Sequence, residues 1–185
     1  MVNDILKALD ERMDKAISSV KGNFATIRAG RATPALLDRI QVEYYGSTMP
    51  INQLANVSTP EPRMLVITPW DKGSLAEIER AIVKSDLGMM PTNDGSVIRL
   101  SIPQLTEQRR QELVKQVKKL AEDGRIAVRN IRRDVNDEVK KLEKSGDISE
   151  DDSRRAQEKV QTVTDRFIGE IDKLLTAKEQ EILEV

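Results

Sequence analysis

The sequence predicts an α+β fold: an elongated three-helix bundle with a small β/α/β module inserted between its first and second helices. Three observations point there. Apolar residues recur at spacings of three and four over about 3–28, 106–145 and from 149 onward, as the buried stripe of a helix requires. Between the first two of these segments the period changes to two. Six of the seven prolines fall between residues 50 and 103, which leaves room for a long helix only between Pro69 and Pro91. Aromatics make up 3% of the chain and charged residues 33%, a composition that fits long exposed helices better than a β sandwich.

The elements follow in order. Asn3 is the expected N-cap of the first helix, with Asp4 in its first turn. Ile5, Leu9, Met13, Ile17, Val20, Phe24 and Ile27 form its stripe. Ala29-Gly30 ends it, since Gly30 permits a sharp turn and Pro34 disfavours helix just before itself. Ile40 to Tyr44 alternates as a strand does, and Tyr45-Gly46-Ser47 offers a turn. Met64 to Ile67 is a short apolar strand. Ser74 and Glu77 have capping-box spacing ahead of the stripe Leu75, Ile78, Ala81, Ile82, which Leu87-Gly88 closes. Asn93-Asp94-Gly95 is a turn, and Val97, Ile98, Leu100 and Ile102 form the last strand. Thr106 then caps a second long helix and Ser149 a third, with Glu150, Asp151 and Asp152 in its first turn. The linker between them is short enough to make them antiparallel neighbours. The predicted boundaries are 1–29 plus 106–185 for the bundle and 30–105 for the module. Only two stretches join the parts, which makes a hinge there the natural expectation and a rigid interface the alternative.

Composition excludes much chemistry. The chain contains no cysteine and no histidine. Thiol nucleophiles, Ser-His-Asp triads and Cys/His metal sites are therefore ruled out. No catalytic constellation and no P-loop is present, so no enzyme activity, metal or cofactor is expected. No apolar run has membrane-span length, and the N-terminus does not read as a signal peptide; a cytoplasmic protein without membrane contact is expected.

Charge is unevenly placed. Residues 106–145 hold twelve basic and eight acidic residues, a net +4, whereas 146–185 hold six and eleven, a net −5. The helix spanning 106–145 carries two stripes. Val117, Leu120, Gly124, Val128, Ile131, Val135 and Leu142 form the apolar one. Lys118, Arg125, Arg129 and Arg132 form a basic one, about 110° away at roughly 100° per residue. Arg133 adjoins it. Guanidinium groups present forked donors suited to phosphate, and few acidic residues at i±4 neutralise the stripe, which favours a nucleic-acid contact. The alternative is a solvated face whose charges pair with the neighbouring helix. Arg28 with Gly30-Arg31 makes a basic turn, or simply terminates the first helix. Of Tyr44 and Tyr45, alternation buries one and exposes the other; stacking on bases and a partner surface both remain open. Trp70 is expected to pack against the module's helix.

Several motifs, in order along the chain, resemble the bacterial ribosome recycling factor family. They are Ile27-Arg-Ala-Gly-Arg31-Ala-Thr-Pro34-Ala-Leu-Leu-Asp38, Val42-Glu-Tyr-Tyr-Gly46, Ser85-Asp-Leu-Gly88, Leu105-Thr-Glu-Gln-Arg-Arg110, Val128-Arg-Asn-Ile-Arg-Arg-Asp134 and Ile148-Ser-Glu-Asp-Asp152. The resemblance implies a long three-helix bundle with an inserted β/α/β domain on a hinge, L-shaped overall. It implies a monomeric, non-enzymatic translation factor. Such a factor binds the 70S ribosome, chiefly large-subunit rRNA, and with elongation factor G and its GTP hydrolysis separates the subunits, freeing mRNA and tRNA. It places rRNA-contacting arginines at Arg129 and Arg132, then Arg133 and Arg28; helix geometry extends the set to Arg125 and Lys118. The hinge maps to Ala29, Gly30 and Arg31 and to Gln104, Leu105 and Thr106. Gly124 departs from what the family's long helix leads one to expect, because mid-helix glycine costs about 1 kcal/mol; it permits either close packing or a bend.

Overall fold

A computed structural model describes residues 1–184; Val185, the last residue of the predicted bundle, lies outside the described residues. The described chain divides into two compact units, residues 1–28 with 107–184, and residues 29–106.

The first unit consists of helices α1 (Val2–Ala25), α3 (Glu107–Lys144) and α4 (Glu150–Leu183). Each packs against the other two. Leu9, Met13, Ile17, Val20 and Phe24 of α1 are buried. The buried residues of α3 are Leu113, Val117, Ala121, Gly124, Val128, Val135 and Val139, and those of α4 include Ala156, Val160, Thr164, Phe167, Ile171 and Ile182. The buried stripe of α3 thus runs through Ala121 and Val139, while Leu120, Ile131 and Leu142 sit half-buried at its edges. Small Ala121 and Gly124 face the centre of the bundle, and the bulkier flanking residues seal its seams. Thr164 is buried at no cost in hydrogen bonding, because its Oγ1 donates to Val160 O at 2.7 Å.

Gly124 is a site of close packing. A Cβ there would stand 2.5 Å from Val20 Cγ2 of α1 and 3.5 Å from Ile171 Cδ1 of α4. α3 continues through this position without interruption. An ion pair crosses each helix interface: Arg12 to Asp134 at 2.9 Å, Arg166 to Asp10 at 3.3 Å, and Arg125 to Asp172 at 2.6 Å. The first two are exposed pairs of the kind that contribute about 0–1 kcal/mol each, so they tune register more than they hold the bundle; the Arg125 side chain of the third is only 18% exposed.

Helix ends differ in part from expectation. Asn3 lies inside α1, whose N-cap is Met1. α1 stops at Ala25, where the Thr26 hydroxyl donates back to Asn23 O; Ile27 and Arg28 follow outside the helix. At the end of α3 Gly146 adopts φ 78, and Gly146 N and Asp147 N reach back to Glu143 O and Leu142 O, a left-handed glycine termination. Ser149 caps α4, its Oγ accepting from Asp152 N at 3.1 Å.

The second unit holds two antiparallel sheets. One is the hairpin of β1 (Gln41–Tyr44) and β2 (Ser47–Pro50). Tyr45 and Gly46 both have positive φ, the backbone that a tight two-residue hairpin demands. The other comprises β3 (Ala55–Glu61), β4 (Met64–Pro69), β5 (Thr92–Asn93) and β6 (Ile98–Ser101), in the order β3-β4-β6-β5. Helix α2 (Leu75–Lys84) lies between β4 and β6 in sequence, so the β/α/β order is present, but those strands pair antiparallel. Leu65, Ile67, Ile98 and Leu100 alternate inward onto Ile78 and Ile82 of α2 and onto Val42 and Ile51. β3 is irregular between Ser58 and Glu61, around Pro60, a residue tolerated at a sheet edge or bulge.

Two aspartates organise the loops. Asp71 accepts from Gly73 N and from the Tyr44 hydroxyl, each at 2.9 Å. The Gly73 amide, then Tyr44, hold its carboxyl below the ordinary range. The expected Ser74 capping box does not form, since the Ser74 hydroxyl donates to Asp71 O instead. Asp94 accepts from Ser96 N and Val97 N at 2.9 Å and from Arg99 at 2.8 Å. The Val97 and Ser96 amides, then Arg99, lower its pKa to about 2.

Gly124→Ala is expected to lower the melting temperature. Val20 is β-branched, buried and cannot rotate away cheaply, so overpacking of about 1–3 kcal/mol outweighs the helix-propensity gain of about 1 kcal/mol. Gly22→Ala, where a Cβ meets open space, keeps that gain and raises the melting temperature. Equal stabilisation by both substitutions would contradict close packing at Gly124. A second expectation concerns acid. The depressed Asp94 pKa contributes stability that is complete above about pH 4 and is lost as pH falls toward about pH 2. Asp94→Asn should therefore show a shallower loss of denaturation midpoint across that interval than the unchanged chain.

Candidate nucleic-acid interface

The 38 residues of α3 present the basic stripe on the shoulder of the helix that adjoins α4. Packing fixes this. Gly124, Val128 and Val135 must face the core, and at about 100° per residue Arg125, Arg129 and Arg132 then project to one flank.

The members of the stripe are held very differently. The Arg125 side chain is only 18% exposed. Its Nε and Nη2 donate to Asp172 Oδ1 of α4 at 3.0 and 2.6 Å, and its Nη1 donates to Glu122 Oε2 at 3.2 Å. The bonds to Asp172 raise its pKa further above its already high value, so it stays charged. Arg129 Nη1 donates to the other carboxylate oxygen of Glu122 at 3.1 Å. Hydrogen bonds from Arg125 and then Arg129 lower the Glu122 pKa. Arg132 Nη1 reaches Gln161 Oε1 at 3.5 Å, the limit of a hydrogen bond. Gln161 itself is turned toward Asp165, donating to it at 2.8 Å. Arg133 and Lys118 are exposed. Arg28 is exposed in the segment after α1.

The expectation of a stripe with few acidic neighbours is therefore corrected. Glu122 stands three residues before Arg125 and seven before Arg129, and Asp172 arrives from α4. Arg125 is chiefly a cross-helix tie. Arg129, Arg132 and Arg133 are the guanidinium groups open to an external anion, with Lys118 at the far end of the line. Glu122 could have been read from its i,i+3 spacing. Asp172 and Gln161 could not, because their placement depends on the register of α4 against α3.

The expected hinge residues Ala29, Gly30 and Arg31, and Gln104, Leu105 and Thr106, lie in stretches without helix or strand. Gly30 has φ 77, a conformation that disfavours other residues. On the second unit Tyr44 is half-buried and Tyr45 is 86% exposed. Trp70 is 69% exposed rather than packed away; it edges a groove with Pro34, Leu37, Pro50, Ile51 and Val57. Among the described residues no carboxylate cluster is placed to hold a metal ion, and no helix is long and apolar enough to cross a membrane.

A sequence model of the ribosome recycling factor family matches residues 20–183. The chain is 62% identical to the ribosome-recycling factor of Carboxydothermus hydrogenoformans and 58% identical to that of Brevibacillus brevis, covering 100% of both chains in each case. Among solved structures it is similar to one described as the solution structure of the ribosome recycling factor, at 44% identity and a TM-score of 0.73, covering 100% of this chain and 98% of that one. It is also similar, at 46% identity and a TM-score of 0.63 over 99% of both chains, to the Thermus thermophilus factor in models that place it with Escherichia coli elongation factor G on the post-termination complex.

The unequal ties of the stripe set two different expectations for stability. Arg125→Ala lowers it by about 1 kcal/mol, whereas Arg133→Ala changes it by less than about 0.5 kcal/mol. Denaturant midpoints measure both. Equal losses would show that the two arginines have one role.

Proposed function

This chain belongs to the ribosome recycling factor family, and on that premise we propose that it is a cytoplasmic, monomeric factor that binds the 70S ribosome chiefly through large-subunit rRNA. Acting with elongation factor G and GTP, it splits the post-termination ribosome into subunits and releases mRNA and tRNA. The bundle, described over residues 1–28 with 107–184, is the rRNA-binding part, and α3 presents the binding face. The module, 30–105, takes the push of the GTPase.

The single observation that carries this reading is the graded freedom of the ridge. Arg125 is tied to α4, while Arg129, Arg132 and Arg133 remain available along one line. A helix needs no such surface for its own stability, since the core stripe lies on another face. Forked guanidinium donors suit the regularly spaced phosphates of a folded RNA. The placement of a 46%-identical relative with elongation factor G on a post-termination complex supports the same partners here. Ala29, Gly30 and Arg31, with Gln104, Leu105 and Thr106, form the hinge between bundle and module. With the bundle anchored on rRNA, force on the module would be transmitted as strain on the inter-subunit contacts. The energy comes from the GTPase, so this chain requires no nucleotide or cofactor of its own.

Arg129→Ala and Arg132→Ala should each weaken binding to purified large subunits about tenfold, as expected for a charge-assisted bond to phosphate. Each should reduce the slope of log affinity against log salt by about 1, with the melting temperature nearly unchanged. Splitting of 70S ribosomes by elongation factor G and GTP should fall in parallel. Normal binding by the double variant would overturn the assignment of the ridge.

A further inference from the structure

Glu122 is an anion embedded in the basic ridge, and its geometry is specific. Each carboxylate oxygen accepts from a different arginine: Oε2 from Arg125 and Oε1 from Arg129. The two arginines are not equivalent. Arg125 has a second carboxylate, Asp172, which it engages through two nitrogens. It therefore keeps its place without Glu122. Arg129 is bonded to Glu122 through one nitrogen, and its side chain is 39% exposed. Glu122 itself is half-exposed, so the core does not depend on it.

We propose that Glu122 is a built-in competitor for the RNA phosphate at Arg129, a residue that lowers the factor's affinity for rRNA so that it can leave the ribosome. The inference rests on the reading of the ridge as the rRNA face. A phosphate that approaches Arg129 must displace this carboxylate or share its guanidinium with it, and two anions near one cation repel each other. The competitor is local because it sits on the same helix, three and seven residues away, so it re-engages as soon as the phosphate departs. Its carboxyl is held firmly ionised by the arginines, so competition persists across the neutral pH range. A factor that acts once per ribosome must dissociate after each round, and a ridge made only of arginines would release slowly.

The test measures equilibrium binding and dissociation rate of the full chain on purified large ribosomal subunits over a series of salt concentrations. Glu122→Gln preserves shape and removes the charge. It should tighten binding roughly fivefold at low salt, the size an exposed ion pair supports, mainly through slower dissociation. The gain should shrink as salt rises, since it is electrostatic. In an Arg129→Ala background the gain should drop to roughly half or less, because the competed guanidinium is gone. If Arg129→Ala weakens binding while Glu122→Gln leaves it unchanged or weakens it too, Glu122 orients Arg129 and the competitor proposal is overturned. If Arg129→Ala itself has no effect, the ridge reading fails, and this inference with it.

Discussion

The rotational setting of α3 is the constraint on which the bundle and its candidate interface depend. One missing side chain decides it. At Gly124 a Cβ would overlap Val20 of α1 and touch Ile171 of α4, so glycine is the residue that meets that point without displacing a neighbour. Once Gly124 is turned inward, the helical period leaves no freedom elsewhere. Val117, Val128, Val135 and Val139 follow it into the core. The arginines follow onto the α4 shoulder. The propensity cost of glycine, about 1 kcal/mol, is offset by the dispersion and burial that accompany the close approach of the three helices. Structure and electrostatics are thus coupled through one position: a rotation of α3 that spoiled the Gly124 packing would also carry the basic stripe away from α4.

The shoulder shows how one helix face can serve stability and recognition together. Near Gly124, where α4 brings Asp172 within reach, the arginine becomes a tie between helices. Two turns further on, α4 presents Gln161, already bonded to Asp165, and Arg132 is left loosely held. The acidic residues of α4 therefore do not cancel the basic ones of α3 as a block. They hold Arg125 and leave its neighbours closer to solvent. The second unit uses carboxylates differently. Asp71 and Asp94 gather backbone amides at loop corners, which keeps their charge occupied within the fold.

Much of this was legible in the residues. Spacing of three and four placed α1, α3 and α4, because a strip of apolar side chains on a long helix has a single period. Ser149 with Asp152 marked the start of α4 correctly because caps depend on local backbone geometry. Where the competition was tertiary, the reading failed. Asn3 had the right chemistry for a cap, but the helix already begins at Val2. Ser74 had capping-box spacing, yet its hydroxyl turned to Asp71 O. β3 was hidden by Pro60 and by its polar residues, which an edge strand tolerates. Trp70 was expected to pack against the module's helix, and it stands exposed. In the candidate interface, the positions of Arg129 and Arg132 on one stripe followed from period alone. The grading between Arg125 and its neighbours did not, since it depends on which α4 residue lies opposite.

A ridge that offers Arg129, Arg132 and Arg133 to rRNA phosphates while Arg125 stays tied within the bundle has a distinct chemical signature. The most direct measurement is residue-resolved arginine modification by a dicarbonyl reagent, read by mass spectrometry, with the chain free and bound to large ribosomal subunits. Arg129, Arg132 and Arg133 should react when free and be protected when bound. Arg125 should react slowly in both states, and Arg154 and Arg155 on α4 should stay reactive throughout. Continued reactivity of Arg129 and Arg132 in the bound state would contradict an rRNA contact through the ridge.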